Sequence, residues 1–272
     1  TTISFQHRAN SMNSDLTASQ KDYAIFLPAL SGFYATFVGK QRREEYVDYN
    51  RIPKHWTNGV ESGNWLNRDK SLFQYQWSLY SAGHAELDIN KDSAKEDMVR
   101  DRNRETSWLL GDSGGFQIGK GVWEGDWKDP NCPKAQKKRT QVLSWMDAYM
   151  DYGMILDIPA WVSRSPAGQK ATGINNYQDA VNATRINNDY FMKNRSGACK
   201  FLNVLQGENH ADAEDWYQQM KDYCDPRKYP DTHFNGWSMG GQNMCDVHLV
   251  LKRLVALRFD GLLEKGTHDF MH

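Results

Sequence analysis

The chain has 272 residues, 39 % hydrophobic and 25 % charged, which is enough apolar material for a substantial core and too much for a disordered tail. Its 33 basic and 34 acidic residues leave a net charge of −1, which argues against a histone-like binder held mainly by counterion release but permits a local basic face. The four cysteines, Cys132, Cys199, Cys224 and Cys245, form no C-x-x-C or C-x-C pair, so neither a compact zinc knuckle nor a redox dithiol is expected, and sparse thiols suit a reducing cytoplasm.

Residues 1–22 are polar and are expected to lie at the periphery. They carry no initiator Met and no signal-peptide layout. Residues 23–28 predict the first strand, running on through Ala29, Leu30, Ser31 and Gly32. Residues 39–69 read as a long decorated loop with room for a short helix, 72–79 as strand or helix, and 92–108 as charged and helical in tendency with a poor hydrophobic face. Leu109 and Leu110 then lead into Gly111-Asp112-Ser113-Gly114-Gly115-Phe116-Gln117, an apolar run delivering a polar turn whose paired glycines admit a close approach to the backbone. The same pattern describes an ordinary strand-to-loop turn capped by Asp and Ser.

A loop rich in Gly and Trp fills 119–133. The run 134–139 is the best candidate for a local basic face, and is equally what a solvated helix start looks like. Val142, Leu143, Met146 and Met150 predict an amphipathic helix over 140–152, ended by Gly153. Residues 154–159 predict a strand that terminates at Asp157, and 160–175 a loop. Helices are predicted over 177–193, 211–223 and 246–258; the strands between them, 201–207 and 234–241, end at Gln206-Gly207 and Gly240-Gly241.

Strand and helix alternating at this interval predict an α/β chain with a parallel sheet. The expected architecture is a single domain over residues 1–272, a (β/α)8 TIM-type barrel, whole or cut short at its C-terminus, with long loop insertions. A doubly wound open sheet is the alternative, although no G-x-G-x-x-G opens a helix. No run of about eighteen apolar residues occurs, so no membrane span is expected.

The strand ends carry complementary chemistry. Guanine offers two donors, N1–H and N2–H, beside the acceptor O6. A carboxylate at Asp157 or Asp112 suits the donors; the Gln206 amide and the Gly241 backbone N–H suit O6. Phe116 can cover one ring face and Met271 the other. A sugar or a phosphate also suits groups of these kinds.

The octapeptide Leu110-Gly111-Asp112-Ser113-Gly114-Gly115-Phe116-Gln117 resembles the signature of the guanine transglycosylases, which exchange guanine for a 7-deazaguanine in tRNA. Three further stations match in order: the strand ending at Asp157, Leu205-Gln206-Gly207, and Trp237-Ser238-Met239-Gly240-Gly241. The resemblance spans residues 23–272 and implies a (β/α)8 barrel. It implies that Asp112 handles protons beside the reacting base and sugar. Asp157 would hold the N1 and N2 edge, Gln206 and Gly241 would bind O6, and Phe116 and Met271 would cover the faces. Ser113, Gly114, Gly115, Gln117, Gly207 and Gly240 complete the implied substrate site. The chemistry implied is double displacement at C1′ through a glycosyl-enzyme ester, the logic of a retaining glycosidase.

The departures are informative. Residues 80–87 stand where the tRNA enzymes carry an Asn-Thr-Tyr-His-Leu-like element, Gln242 follows the paired glycines, and the loops are rich in Trp. This pattern is closer to the 7-deazaguanine DNA transglycosylases of phages and bacterial modification systems. The implied partners are DNA, alternatively tRNA, with guanine and a 7-deazaguanine such as preQ0, in the cytoplasm (the host's, for a viral protein). Homo- or hetero-oligomers are also compatible. The family's nucleophilic carboxylate and its Cys-rich zinc site are expected beyond residue 272, so no metal or cofactor is expected in this chain. Asp260 and Asp269 read as surface or cap residues, the histidines His84, His210, His233, His248 and His268 as surface or core-edge residues, and Arg102 and Arg104 as phosphate contacts or a solvated helix face. Two rivals remain: a non-catalytic nucleic-acid-binding subunit, and an unrelated barrel hydrolase using Asp112 and Asp157 as its carboxylate pair.

Overall fold

The computed structural model describes residues 24–45 and 50–272. The polar stretch 1–22, and Tyr23 at the head of the first predicted strand, lie outside the described residues. The chain divides into two compact units. One holds the described residues up to Asp112 together with Ser144–Asp151; the other holds Ser113–Leu143 and Tyr152–His272.

In the first unit Ser31 caps helix α1 (Gly32–Arg42) by accepting the Tyr34 N–H, and the Thr36 hydroxyl donates to the Gly32 carbonyl. Of the ambiguous 72–79 stretch, 72–76 form neither strand nor helix and only 77–79 are extended, within strand β1 (Trp77–Ser81). It pairs in parallel with β2 (Trp108–Asp112), Trp77 opposite Trp108 and Ser81 opposite Asp112. Strand β2 is buried from Trp108 to Gly111, as its near-continuous apolar run requires. A side chain at Gly111 would meet Met150 Cγ at 2.8 Å, so the glycine is what lets the strand lie against that methionine.

Residues 92–108 do not form the predicted helix. A 3-10 turn at Ala94–Glu96 and a single helical turn at Asp97–Arg100 are all that is helical there. Glu96 is the reason: it is buried and accepts from the Tyr80 hydroxyl, the Glu86 backbone N–H and the Trp145 indole at 2.9, 2.9 and 3.3 Å. Burial pushes its pKa up against those donors. Arg102 and Arg104 also depart from expectation. Both turn onto Asp151, at 2.9 and 3.1 Å, and spend further donors on the Ser107 and Tyr149 carbonyls and on those of Ala148 and Met150. Asp151 also accepts the Leu109 N–H at 2.9 Å, so these arginines brace β2 rather than meet a phosphate.

In the second unit the strands β3 (Tyr152–Met154), β4 (Lys200–Leu205), β5 (Gly236–Met239) and β6 (Phe270–Met271) pair in parallel in that order. Helix α2 (Gly115–Gly119) opens the unit. Helix α3 (Pro133–Tyr149), whose residues to Leu143 belong here, starts at Pro133, seven residues earlier than predicted, so the basic run forms its first turns. Helix α4 (Pro166–Thr172), capped by Ser165, and a 3-10 turn at Ala160–Arg164 occupy the predicted 160–175 loop. Helices α5 (Tyr177–Asn194), α6 (His210–Met220) and α7 (Val247–Phe259) lie close to where periodicity puts them, each capped by an Asn or Asp: Asn176, Asn209 and Asp246. The unit's core stacks Phe201 edge-on to Phe191 and Phe234, and the buried indoles of Trp216 and Trp237 satisfy their N–H groups on the Val204 and Leu262 carbonyls.

The chain is α/β with parallel pairing, but the predicted (β/α)8 barrel is not what it forms. Six strands occur among the described residues, two in the first unit and four in the second, where a closed barrel needs eight. The 23–28 run yields no strand over its described residues. Only Ala29 makes an isolated bridge to Leu79, framed by Leu79 N–H to the Pro28 carbonyl and Leu30 N–H to the Leu79 carbonyl. Pro28 has no N–H with which to extend that ladder. Likewise the 154–159 strand stops at Met154. No helix among the described residues is long and apolar enough to cross a membrane.

Candidate functional site

Asp157 stands three residues beyond the end of β3, and side chains rather than a sheet ladder position it. The Ile155 N–H makes the last rung, to the Leu202 carbonyl, and the Asp157 N–H turns back to the Ile155 carbonyl at 2.9 Å. Helix α5 supplies the rest. Buried Thr184 accepts the Ile158 N–H at 2.9 Å, and buried Asn187 donates to the Leu156 carbonyl at 2.6 Å. Asn187 in turn accepts from Arg139 Nε at 2.6 Å. Arg139 therefore departs from the solvated basic run to which the sequence assigns it. It is buried, with its guanidinium 5.7 and 5.9 Å from the ring centres of Trp127 and Tyr190.

Gln206, just past β4, donates from Nε2 to Asp157 Oδ2 at 2.7 Å, and both side chains are buried. Glycines wall this pair. A Cβ at Gly115 would lie 2.6 Å from the Asp157 carbonyl and 3.3 Å from Oδ1; at Gly240 it would lie 2.7 Å from Gln206 Nε2. Gly241, at φ 57°, would meet the Gly207 carbonyl at 2.4 Å and Gln206 Oε1 at 2.9 Å. The backbone of β4 and β5 continues to pair beyond the strands, Gly240 N–H to the Leu205 carbonyl and Gln242 N–H to the Gly207 carbonyl, both at 2.7 Å. Asn243 closes the cluster by aiming its amide at the Leu205, Gln206 and Gly240 carbonyls, at 3.3, 3.4 and 3.0 Å. Sequence reading misses Asn243; its only signal is an amide placed two residues after a glycine pair. It misses Thr184, Asn187 and Arg139 in the same way, because their partners (backbone groups for Thr184 and Asn187, the Asn187 side chain for Arg139) are remote in sequence.

The structure thus brings together Gly115, Asp157, Gln206, Gly207, Gly240 and Gly241. The remaining predicted residues have other neighbours. Ser113 is buried, and Gly114, at φ 83°, carries the Trp123 ring where a Cβ would sit. Gln117 Oε1 is buried and has no hydrogen-bond partner among the described residues. Phe116 is exposed, tilted against Trp161 at 6.0 Å, with the Lys120 ammonium 5.3 Å above its ring. Met271 sits half-buried in β6 opposite Trp237. Asp112 belongs to the first unit, where Oδ2 accepts the Ser81 hydroxyl at 2.7 Å and its carbonyl accepts the Ala82 N–H at 2.8 Å.

The other titratable candidates are structural. His210 at the start of α6 meets Asp246, the cap of α7, at 2.6 Å. That contact, with the Leu249 N–H behind it, holds the Asp246 carboxyl down at about 2. His268 accepts the Glu264 N–H on Nδ1, so Nε2 carries the proton that it gives to the Cys224 carbonyl at 2.6 Å. Asp260 caps α7 and takes the Tyr217 hydroxyl and the Lys221 ammonium, and Asp269 takes the Gly266 N–H. Among the described residues no group of three His, Cys, Asp or Glu side chains is placed to hold a metal ion.

A carboxylate hydrogen-bonded to a primary amide, in a dry setting with backbone close on both sides, offers an acceptor and a donor side by side. That is the pattern needed to read the edge of a flat heterocycle carrying adjacent N–H and carbonyl groups. No protein-family model, curated protein or solved structure matches the chain.

Proposed function

We propose that the Asp157–Gln206 cluster binds a guanine-type base by its edge, and that the protein is a base-exchange transglycosylase replacing guanine in DNA with a 7-deazaguanine. The observation that carries the reading is the 2.7 Å hydrogen bond from Gln206 to Asp157, walled by glycines. Gln206 spends one N–H on Asp157 and has a second to offer O6, and a carboxylate is the side chain that accepts from N1–H and N2–H. The glycines let the backbone lie directly against the pair, which leaves flat walls of the kind that suit a planar ligand. The four matching strand ends, in family order, support the same reading.

In this account the C1′–N9 bond breaks as a carboxylate attacks C1′, guanine departs, and a glycosyl ester forms. The N9 of the incoming 7-deazaguanine then attacks C1′, the ester bond breaks, and configuration is retained overall. Asp112 is assigned the proton handling that the resemblance implies; no residue of the chain is assigned as the nucleophile. Presenting the base requires flipping it from the stack, at a cost of roughly a few kcal/mol. A base-binding subunit without catalysis is the second reading, favoured by the engagement of Asp260 in a helix cap and of Asp269 in a turn before β6, neither of them at the C-terminal end of a strand.

The test is exchange of labelled guanine into duplex DNA, single-stranded DNA and tRNA, offered separately. The proposal predicts incorporation into DNA that is lost in Asp157→Asn and Asp112→Asn. Incorporation into tRNA alone removes the DNA assignment. Base binding without any exchange supports the subunit reading, and neither binding nor exchange removes both.

A further inference from the structure

Helix α2 carries Gly115 and Gly119, four residues apart and so on one face of the helix. A Cβ at Gly115 would meet Asp157, and one at Gly119 would lie 2.5 Å from the Trp161 ring. Asp157 and Trp161 therefore lie against the same face of α2, one helical turn apart along it, about 5.4 Å.

Phe116 and Lys120, also four apart, stand beside that face. Phe116 is 58 % exposed, and Lys120, exposed at the end of the helix, folds back over both rings. Its ammonium stands 5.3 Å from the centre of Phe116 and 5.9 Å from that of Trp161, and the rings are 6.0 Å apart and tilted by 56°. The two rings thus form an open notch with a cation at its mouth. No carboxylate pairs with that cation and no hydrogen bond holds it among the described residues. Other cations of the unit differ: Lys128, Lys134 and Arg164 each have an acid, respectively Asp179, Glu124 and Glu208.

We propose that this notch takes the nucleotide next to the target guanine on an opened DNA strand, its base stacked on Phe116 and Trp161 and its phosphate on Lys120. The inference rests on the reading of Asp157 and Gln206 as the base site. A phosphate supplies the counter-charge that Lys120 lacks, and an exposed ring offers a face on which any base can stack. Continuity supports the same occupant. One helical turn is the size of the step between successive nucleotides of a stretched strand, so a strand that delivers its guanine to Asp157 lays a neighbour over Trp161. The contacts are to backbone and ring face rather than to a base edge, so the notch is tolerant of sequence. Phe116 thereby takes a role other than the one the resemblance implies, which is to cover the guanine itself.

The test is fluorescence anisotropy with labelled decathymidylate, a strand without guanine. Wild type is expected to bind it. Phe116→Ala should weaken binding roughly 5- to 150-fold, the range for one base stacked on an aromatic ring, and Phe116→Tyr should retain it. Lys120→Met should make the slope of log affinity against log salt shallower by about 0.7, as for one phosphate on a single strand, and Lys120→Arg should restore it. Calorimetric binding of free guanine should be unchanged in Lys120→Met. A wild type that does not bind decathymidylate overturns the proposal, as does a Phe116→Ala or Lys120→Met protein that binds it like wild type. Binding of decauridylate but not decathymidylate overturns the DNA occupant. The two readings fail separately: decathymidylate bound without free guanine removes the base site, and guanine bound without decathymidylate removes the notch.

Discussion

Gly240→Ala tests the packing of the candidate site directly. The new methyl would sit 2.7 Å from Gln206 Nε2 and 3.1 Å from its Cδ, against 3.4 Å for ordinary contact, so the amide has to withdraw by several tenths of an ångström. Gln206 is buried and already hydrogen-bonded at 2.7 Å, and withdrawal stretches that bond towards the limit of a useful one. A hydrogen bond to a charged group contributes about 1.5–3 kcal/mol. Against this, alanine stabilises by about 0.4–1 kcal/mol through the unfolded chain, because Gly240 at φ −122° has a backbone that alanine adopts without strain. The net expectation is a loss of about 1–2 kcal/mol in urea denaturation.

The same substitution in a Gln206→Ala background meets no amide and only the Leu205 carbonyl at 3.2 Å, so its cost should fall by at least about 1 kcal/mol. Equal costs in the two backgrounds would refute the claim that Gly240 is glycine for the sake of Gln206.

Three further outcomes follow from the described contacts. The Asp246 carboxyl is held at about 2, below its unfolded value, so its contribution is present above pH ~4 and is lost as pH falls towards 2; Asp246→Asn should flatten an acid-unfolding curve over that window. Arg102→Met removes a buried guanidinium from Asp151 and from two backbone carbonyls, and should cost about 3 kcal/mol in denaturant titration, Arg104 retaining part of the pairing. Exposed Cys245 should react with a thiol reagent in the native protein, whereas buried Cys224, whose thiol is pushed up by burial, and buried Cys199 should react only on unfolding; native labelling of Cys224 would contradict its placement.

The second unit was the more legible half. Helices α5, α6 and α7 announce themselves by periodicity and by Asn or Asp caps, and β4 and β5 by apolar runs closed with polar groups. The pairing of Asp157 with Gln206 was foreseeable as two strand ends, but not as a direct hydrogen bond. The failures share a cause: local pattern was overruled by remote polar partners. Glu96 draws three donors from distant positions and breaks the 92–108 stretch into turns. Asp151 draws Arg102 and Arg104 inward. Asn187 and Thr184 take over the backbone after Met154 and end β3 early, so that the predicted 154–159 strand keeps only its first residue, while the described part of the predicted first strand is reduced to the isolated Ala29–Leu79 bridge. Arg139 looks like its lysine neighbours in sequence and differs only because Asn187 waits for it.

The most direct test of base recognition at Asp157 and Gln206 is calorimetric titration of the protein with guanine and with a 7-deazaguanine. One base per chain should bind, and Asp157→Asn should weaken affinity by roughly 10- to 100-fold, the equivalent of one hydrogen bond to a charged group. Wild-type and Asp157→Asn proteins binding the base alike, or wild type binding neither base, would contradict the account.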